Sequence, residues 1–129
     1  MEEKSLSDRV KLLGSRNDVL ELYQGMDAFF LPSLFEGLPL TGVEAQAMGL
    51  PMVVSDTVTN EMVYTDLVDY VSLSESVEVW AKHLKKALNR KVNRESYSDR
   101  LKQSVFSDVG CGERLMNLYT EMLHNPGGM

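Results

Sequence analysis

The sequence contains a single cysteine, Cys111, among its 129 residues. One thiol cannot form an internal disulfide, and it offers none of the paired cysteine spacings that bind structural zinc. Chains without disulfides are typical of reducing compartments. We therefore expect the fold to depend on one apolar core, for which this length is sufficient.

Long apolar runs are also missing. No stretch approaches the roughly 20 apolar residues that a membrane-spanning helix needs, and no signal peptide begins the chain. The sequence therefore predicts a cytosolic chain.

An excess of positive charge is missing as well. Asp and Glu number 19 against 13 Lys and Arg, so the formal net charge is −6. This balance argues against broad nucleic-acid binding and against binding to anionic membranes, since both need basic surfaces. We interpret the one local basic cluster as a solvated helix face, with contact to a membrane surface as the alternative: Lys82, Lys85, Lys86, Arg90 and Lys91.

The most informative stretch runs from Phe29 to Asp56 and reads FFLPSLFEGLPLTGVEAQAMGLPMVVSD. Two apolar runs, Ala28–Leu31 and Met52–Val54, flank a loop rich in Gly and Pro and a short Ala-rich segment, Thr41–Met48. This order predicts strand, loop, helix and strand, which is a βαβ unit. Ligands of open parallel sheets bind at the carboxyl ends of the strands, where unpaired amides at a helix start suit phosphate.

The segments before this unit predict one strand and one helix. The run Val10–Leu13, ended by Gly14, is typical of a short buried strand. A helix follows, capped by Ser15 or Asn17 and closed by a glycine, with three apolar residues on one face: Val19, Leu20 and Tyr23.

The segments after the unit predict a helical turn at Thr59–Val63 and a strand around Tyr70–Leu73. Apolar residues at helical spacing, Trp80 among them, then indicate a core-facing helix after an N-cap at Ser74. Another helix begins near Asn93. After a break at Val109–Gly112 we expect a last helix with apolar residues Leu115, Leu118, Tyr119 and Met122. Alternating strands and helices indicate an α/β fold with a parallel sheet.

The string PSLFEGLPLTGVEAQAMGLPMVVSD resembles the signature of the family 4 (group 1) glycosyltransferases, which have the GT-B fold. Glu36 and Glu44 meet the family's Glu-x7-Glu pattern, and EAQAMGLPMVVSD is similar to the continuation. The segments GVEAQAMGLP and SDTVTNE are most similar to members that build bacterial capsular polysaccharides or exopolysaccharides. The resemblance implies a Rossmann-like sheet flanked by helices, with residues 1–124 as a partial C-terminal, donor-binding domain and residues 125–129 as a disordered tail.

The resemblance also implies a retaining transfer of sugar from a UDP- or GDP-linked donor, without a cofactor. It places Glu44 on the ribose hydroxyls and Glu36, as the catalytic residue, near the transferred sugar. The sugar and phosphate would face four backbone amides, those of Gly37, Leu38, Leu40 and Thr41. No Asp-x-Asp motif is present, which is typical of metal-independent GT-B enzymes.

A complete family member has two domains, and this chain resembles only the later part of the second. The acceptor-binding domain is missing, as are two strands carrying the Arg and Lys that neutralise the donor diphosphate. We therefore expect the chain alone to be inactive and the complete enzyme to be peripheral at a membrane. In the sheet order of the family, the two missing strands would lie between the strands Val10–Leu13 and Ala28–Leu31. In this chain, Val10–Leu13 and Ala28–Leu31 must therefore pair directly or leave exposed edges that favour a homodimer.

Simpler interpretations remain open at both acids and for the whole chain. Thr41-x-x-Glu44 is a capping-box pattern, in which Glu44 would only satisfy a helix amide. Glu36 has the alternative of an ordinary exposed loop acid. For the whole chain, the alternative is a non-catalytic nucleotide-sugar-binding or assembly module that pairs with another chain.

Overall fold

A computed structural model of the chain describes residues 6–108, 112–117 and 120. Helices and strands alternate through most of this range, in the order α1 (Val19–Gly25), β1 (Phe29–Leu31), α2 (Leu40–Ala47), β2 (Met52–Ser55), β3 (Val68–Val71), α3 (Val77–Leu88) and α4 (Glu95–Gln103). A 3-10 helix, Asn60–Met62, lies between β2 and β3 at the predicted helical turn.

The strands form a three-stranded parallel sheet in the order β1-β2-β3. The register places Met52 of β2 between Phe29 of β1 and Val68 of β3. All four residues of β2 are buried, as expected for a central strand covered on both faces. The predicted α/β class, the parallel sheet and the βαβ unit are therefore confirmed.

Side chains of β2 alternate between two apolar clusters, one on each face of the sheet. Met52 and Val54 belong to the larger cluster, beneath α1 and α2, while Val53 packs beneath α3. Trp80 of α3 lies on this second face, as predicted, with its ring 5.4 Å from the Phe30 ring in an edge-on arrangement.

A buried amide fixes α2 to the segment that leads into β3. Gln46 is fully buried, and its Nε2 donates to the carbonyl oxygens of Gly42 (3.1 Å) and Met62 (2.9 Å). Its Oε1 accepts from the amide of Tyr64 and the hydroxyl of Thr65. Because every polar atom of this side chain has a partner, burying it adds specificity without an unsatisfied group.

One guanidinium joins the carboxyl ends of α1 and α2. Arg94 donates to the carbonyl oxygens of Tyr23 (2.6 Å), Gln24 (3.2 Å), Met26 (2.9 Å) and Met48 (2.8 Å). The last carbonyls of a helix lack partners within the helix and form the negative end of its dipole. A cation with several donors therefore stabilises both ends at once.

The predicted strand Val10–Leu13 is wrong. These residues form no strand, and the Leu12 side chain is 84% exposed. The reason is a lack of partners, because β1 pairs only with β2 among the described residues and nothing covers the faces of this segment. We expected either direct pairing of Val10–Leu13 with β1 or an exposed strand edge. The structure has the exposed edge, which belongs to β1.

The first helix begins later than the sequence predicted. Asp18 occupies the N-cap position of α1, in place of Ser15 or Asn17. Its carboxylate makes no bond to the helix amides, because Arg16 Nε donates to its Oδ1 at 2.7 Å. The local ion pair thus competes with capping.

Two other helix starts also differ from the predictions. The N-cap of α3 is Ser76, whose Oγ accepts from the amide of Val79, and not Ser74. The helix α4 follows Arg94, not Asn93. Several polar residues precede each helix, and tertiary packing selects among them.

The last predicted helix is described in part, since residues 112–117 and 120 are helical. The rest of that prediction, and the single cysteine, lie outside the described residues: Val109, Gly110, Cys111, Leu118, Tyr119, Met122 and the tail Asn125–Met129.

We predict that Gly49→Ala destabilises the fold more than the matched change Gly14→Ala. Both glycines have a left-handed backbone, with φ of 68° and 67°. A Cβ at Gly49 would lie 2.8 Å from the Cα of Arg94, whereas one at Gly14 would meet nothing within 4 Å. The backbone term alone costs roughly 1–2 kcal/mol, and overpacking adds about 1–3 kcal/mol at Gly49.

Urea unfolding of both variants measures this difference in the free energy of unfolding. Equal losses would mean that the backbone at Arg94 moves aside without cost, contrary to its position between two helix ends.

Candidate functional site

Glu36 and Glu44 both belong to the connection that leaves the carboxyl end of β1. Glu36 belongs to the loop between β1 and α2, and Glu44 lies in the second turn of α2. Both side chains are half-buried. This connection begins at the edge at which open parallel sheets bind ligands, and it carries both predicted acids.

Hydroxyl groups hold the loop that carries Glu36. Ser33 Oγ donates to Glu36 Oε1 at 2.7 Å. The carbonyl oxygen of Ser33 accepts from Ser55 Oγ at 2.5 Å and from Thr57 Oγ1 at 2.6 Å. Two donors match the two lone pairs of that carbonyl. Glu36 is therefore a partly buried acid with a fixed partner, which does not fit the interpretation of an ordinary exposed loop acid.

The capping-box interpretation of Glu44 is wrong. The N-cap of α2 is Pro39, so Thr41 is the second helical residue and cannot cap the helix with Glu44. The carbonyl of Pro39 instead accepts from the amides of Gly42 (2.9 Å) and Val43 (3.3 Å). The carboxylate of Glu44 lies near α1, where Oε2 accepts from the hydroxyl of Tyr23 at 3.2 Å.

Four amides next to these acids have no acceptor within the described part of the chain. They belong to the predicted substrate-binding residues Gly37, Leu38, Leu40 and Thr41. The amides of Gly37 and Leu38 lie in the loop. Those of Leu40 and Thr41 are the first two amides of α2, for which the helix has no carbonyl partner. Such amides favour an anionic ligand. Their role in binding remains a prediction.

The acids keep acceptor capacity of their own. Within the described residues, neither Glu36 nor Glu44 forms an ion pair with Lys, Arg or His. Each carboxylate has one oxygen engaged by a hydroxyl, and an ionised carboxylate accepts about four hydrogen bonds. The arrangement can therefore accept hydroxyl groups, such as those of a sugar or a ribose.

The sequence patterns do not identify the hydroxyl groups that hold these acids. Tyr23 was predicted only as part of an apolar helix face, although a buried tyrosine needs a partner for its hydroxyl. Ser33 lies two residues beyond the end of β1, and Ser55 is the last residue of β2. Small polar residues at that position are the signal that could have identified them.

The environment of Tyr23 keeps its hydroxyl protonated. The side chain is only 3% exposed. Burial, followed by the charge and the hydrogen bond of Glu44, raises the pKa of Tyr23 to about 12. Tyr23 is therefore a hydrogen-bond donor throughout the neutral range.

A separate cavity of about 390 Å³ lies at the opposite edge, by the amino ends of β2 and β3, where Met52 and Val68 begin the strands. We place the site at the carboxyl edge instead, because the charged groups of the cavity already pair with one another. Burial tends to raise the pKa of its Asp66, but the Tyr97 hydrogen bond and the nearby Arg90 and Arg100 charges bring it below its ordinary value.

Ion pairs also neutralise part of the basic cluster, whose residues lie on α3 and directly after it. Arg90 Nη2 lies 2.5 Å from Asp66 Oδ2, and Lys86 Nζ lies 3.7 Å from Asp69 Oδ2. Lys82 and the other lysines of the cluster are exposed. This matches the interpretation of a solvated helix face.

Among the residues that the structure describes, no group of three or more His, Cys, Asp or Glu side chains could hold a metal ion. None of the described helices has the length and apolar character needed to cross a bilayer. Metal-independent chemistry stays a prediction.

A family model for glycosyl transferases group 1 matches residues 1–104. The chain belongs to this family. The resemblance carried by Glu36, Glu44 and the string around them is thereby confirmed.

Several curated relatives are glycosyltransferases by name. The chain is 38% identical over 128 residues to the Bacillus subtilis (strain 168) protein named "Putative glycosyltransferase EpsF", a match that covers 95% of the chain and 33% of that protein. It is 48% identical over 54 residues to the Escherichia coli UDP-Gal:alpha-D-GlcNAc-diphosphoundecaprenol alpha-1,3-galactosyltransferase, covering 42% of the chain and 14% of that protein.

A third relative is the N,N'-diacetylbacillosaminyl-diphospho-undecaprenol alpha-1,3-N-acetylgalactosaminyltransferase of Campylobacter jejuni subsp. jejuni serotype O:2. It is 50% identical over 50 residues, which cover 39% of the chain and 13% of that protein. The chain therefore spans about a third of EpsF and a smaller share of the other two.

We predict that Glu44→Gln lowers the pKa of Tyr23 and leaves that of Tyr64 unchanged. Burial alone raises the pKa of Tyr64 to about 12, so it serves as the matched control. The pKa of Tyr23 in the folded state lies above the ordinary value of about 10. The contribution of Tyr23 to the free energy of unfolding is therefore complete below about pH 10 and is lost as the pH rises towards 12.

Tyrosine ring carbon shifts, followed by NMR from neutral to alkaline pH, measure both values. An unchanged Tyr23 pKa in the variant would contradict the contact with Glu44.

Proposed function

We propose that the chain is the donor-binding part of a glycosyltransferase that moves a sugar, with retention, from a nucleotide-sugar to an acceptor hydroxyl in cell-surface polysaccharide biosynthesis. Membership of the group 1 family supports sugar transfer. The observation that carries the proposal is that the connection after β1 holds Glu36, Glu44 and four amides that have no acceptor among the described residues.

Each acid has a separate role in this proposal. Glu44 binds the ribose hydroxyls, because a carboxylate accepts two hydrogen bonds at once. Glu36 lies near the transferred sugar and stabilises its positive charge as the bond to the diphosphate breaks. Negative charge develops on the leaving diphosphate, so fixed donors there lower the barrier. The amides of Gly37, Leu38, Leu40 and Thr41 supply such donors.

The donor in this proposal is UDP- or GDP-linked, and no cofactor or metal takes part. The E. coli relative is named for a UDP-linked galactose donor, which supports the UDP choice. Two relatives are named for acceptors linked to diphospho-undecaprenol, a lipid carrier, which supports a complete enzyme that is peripheral at a membrane.

The proposed domain comprises residues 1–124, and it is inactive until an acceptor-binding domain completes the cleft. Amides and carboxylates alone do not neutralise a diphosphate. In this proposal the neutralising cations come from the remainder of the enzyme.

An assembly module is the second candidate function, and one observation favours it. The outer edge of β1 pairs with no strand among the described residues, and the Phe30 side chain is 45% exposed beside it. Unpaired edges invite pairing with another chain. Sedimentation of the isolated chain would distinguish a homodimer from a monomer.

We predict that one of UDP, GDP and ADP shifts the NMR signals of the amides between Gly37 and Glu44 in the isolated chain. The amides without acceptors would bind the phosphates, and Glu44 would bind the ribose. The measurement is a titration of the labelled chain with each nucleotide. If all three leave these signals unmoved, the proposal of a preformed donor half-site is contradicted.

We also predict that Glu44→Gln weakens binding of that nucleotide about tenfold, since a hydrogen bond to a charged group contributes roughly 1.5–3 kcal/mol. Glu21→Gln, at an exposed position of α1, is the matched control and should leave the dissociation constant unchanged. Equal weakening by both variants would indicate a general charge effect and would contradict the assigned role of Glu44.

A further inference from the structure

We propose that Tyr23 is a positioning residue for Glu44. Its hydroxyl holds one carboxylate oxygen, Oε2, and leaves Oε1 to accept a hydroxyl of the ligand. The inference rests on the proposed function, in which Glu44 binds the ribose. It adds a residue from a different helix, outside the Glu-x7-Glu pattern, to the machinery of the donor site.

The ring of Tyr23 is fixed before its hydroxyl reaches Glu44. The side chain is buried in the larger apolar cluster, with its ring 6.2 Å from that of Phe29 in an edge-on contact. A ring held in this way has few rotamers left. Its hydroxyl therefore defines a point in space against which the flexible Glu44 side chain can be oriented.

The helices that carry the two residues are fixed to each other as well. Arg94 binds the carbonyl of Tyr23 itself and that of Met48, four residues after Glu44. One guanidinium thus sets the backbone of α1 against that of α2 near both residues.

The contact is suited to orientation rather than to strong binding. Its length of 3.2 Å exceeds the typical O–H···O distance of about 2.7–2.8 Å. Such contacts in ligand-free sites can shorten when ligand binds. Within the described residues no donor engages Oε1, so one oxygen is fixed and the other can accept from a ligand.

The test compares Tyr23→Phe with Tyr64→Phe in the full chain. Both changes keep the ring and remove one hydroxyl that bonds to α2, since the Tyr64 hydroxyl donates to the carbonyl of Val43 at 2.9 Å. Only Tyr23 touches Glu44. A purely structural role predicts similar effects of the two variants, and a positioning role predicts effects of Tyr23→Phe alone.

The first readout needs no ligand. Three-bond NMR couplings of the Glu44 side chain should indicate one dominant rotamer in the wild type and in Tyr64→Phe, and averaged rotamers in Tyr23→Phe. Averaged couplings in the wild type, or unchanged couplings in Tyr23→Phe, would overturn the proposal. The wild-type measurement alone can refute it, even where a variant does not fold.

The second readout is the dissociation constant of UDP. We expect Tyr23→Phe to raise it about fivefold, the effect of one hydrogen bond, and Tyr64→Phe to leave it unchanged. Equal effects of the two variants would overturn the positioning role. If the wild type binds none of UDP, GDP and ADP, the proposed function fails, while the couplings still decide whether Tyr23 positions Glu44.

Discussion

The structure depends on one guanidinium that satisfies the ends of two helices. Arg94, at the start of α4, donates to carbonyls that precede it by 46 to 71 residues. These carbonyls would otherwise need water, and they carry the negative ends of two helix dipoles. By binding them together, Arg94 holds the start of α4 against the carboxyl ends of α1 and α2. Gly49 allows this approach because any Cβ there would clash with the Arg94 backbone.

Hydroxyl groups hold the two acids in a similar way. Ser55 and Thr57 hold the Ser33 carbonyl, and Ser33 holds Glu36, while Tyr23 contacts Glu44. Each acid is thus oriented by a neutral donor and is not neutralised by a cation. Neutral donors leave the carboxylate charged and able to accept further hydroxyls, which suits a site for sugars and ribose.

The connection after β1 presents two acids and four amides that have no acceptor among the described residues. Group 1 membership accounts for the acid pair, whereas the geometry accounts for how the pair is held. The cavity beneath α3 has a different character, since Asp66 already pairs with two arginines and Asp69 with His83 and Lys86.

Local sequence patterns determined the βαβ unit, and tertiary contacts decided the rest. Apolar runs, a proline-rich loop and Gly49 were enough to place β1, α2 and β2, because each signal lies within a few residues of the element it specifies. Val10–Leu13 shows the limit, since a strand forms only where a neighbour supplies backbone partners. Likewise, the roles of Arg94 and Tyr23 depend on partners 21 to 71 residues away. No local pattern encodes such contacts, so only the folded chain reveals them.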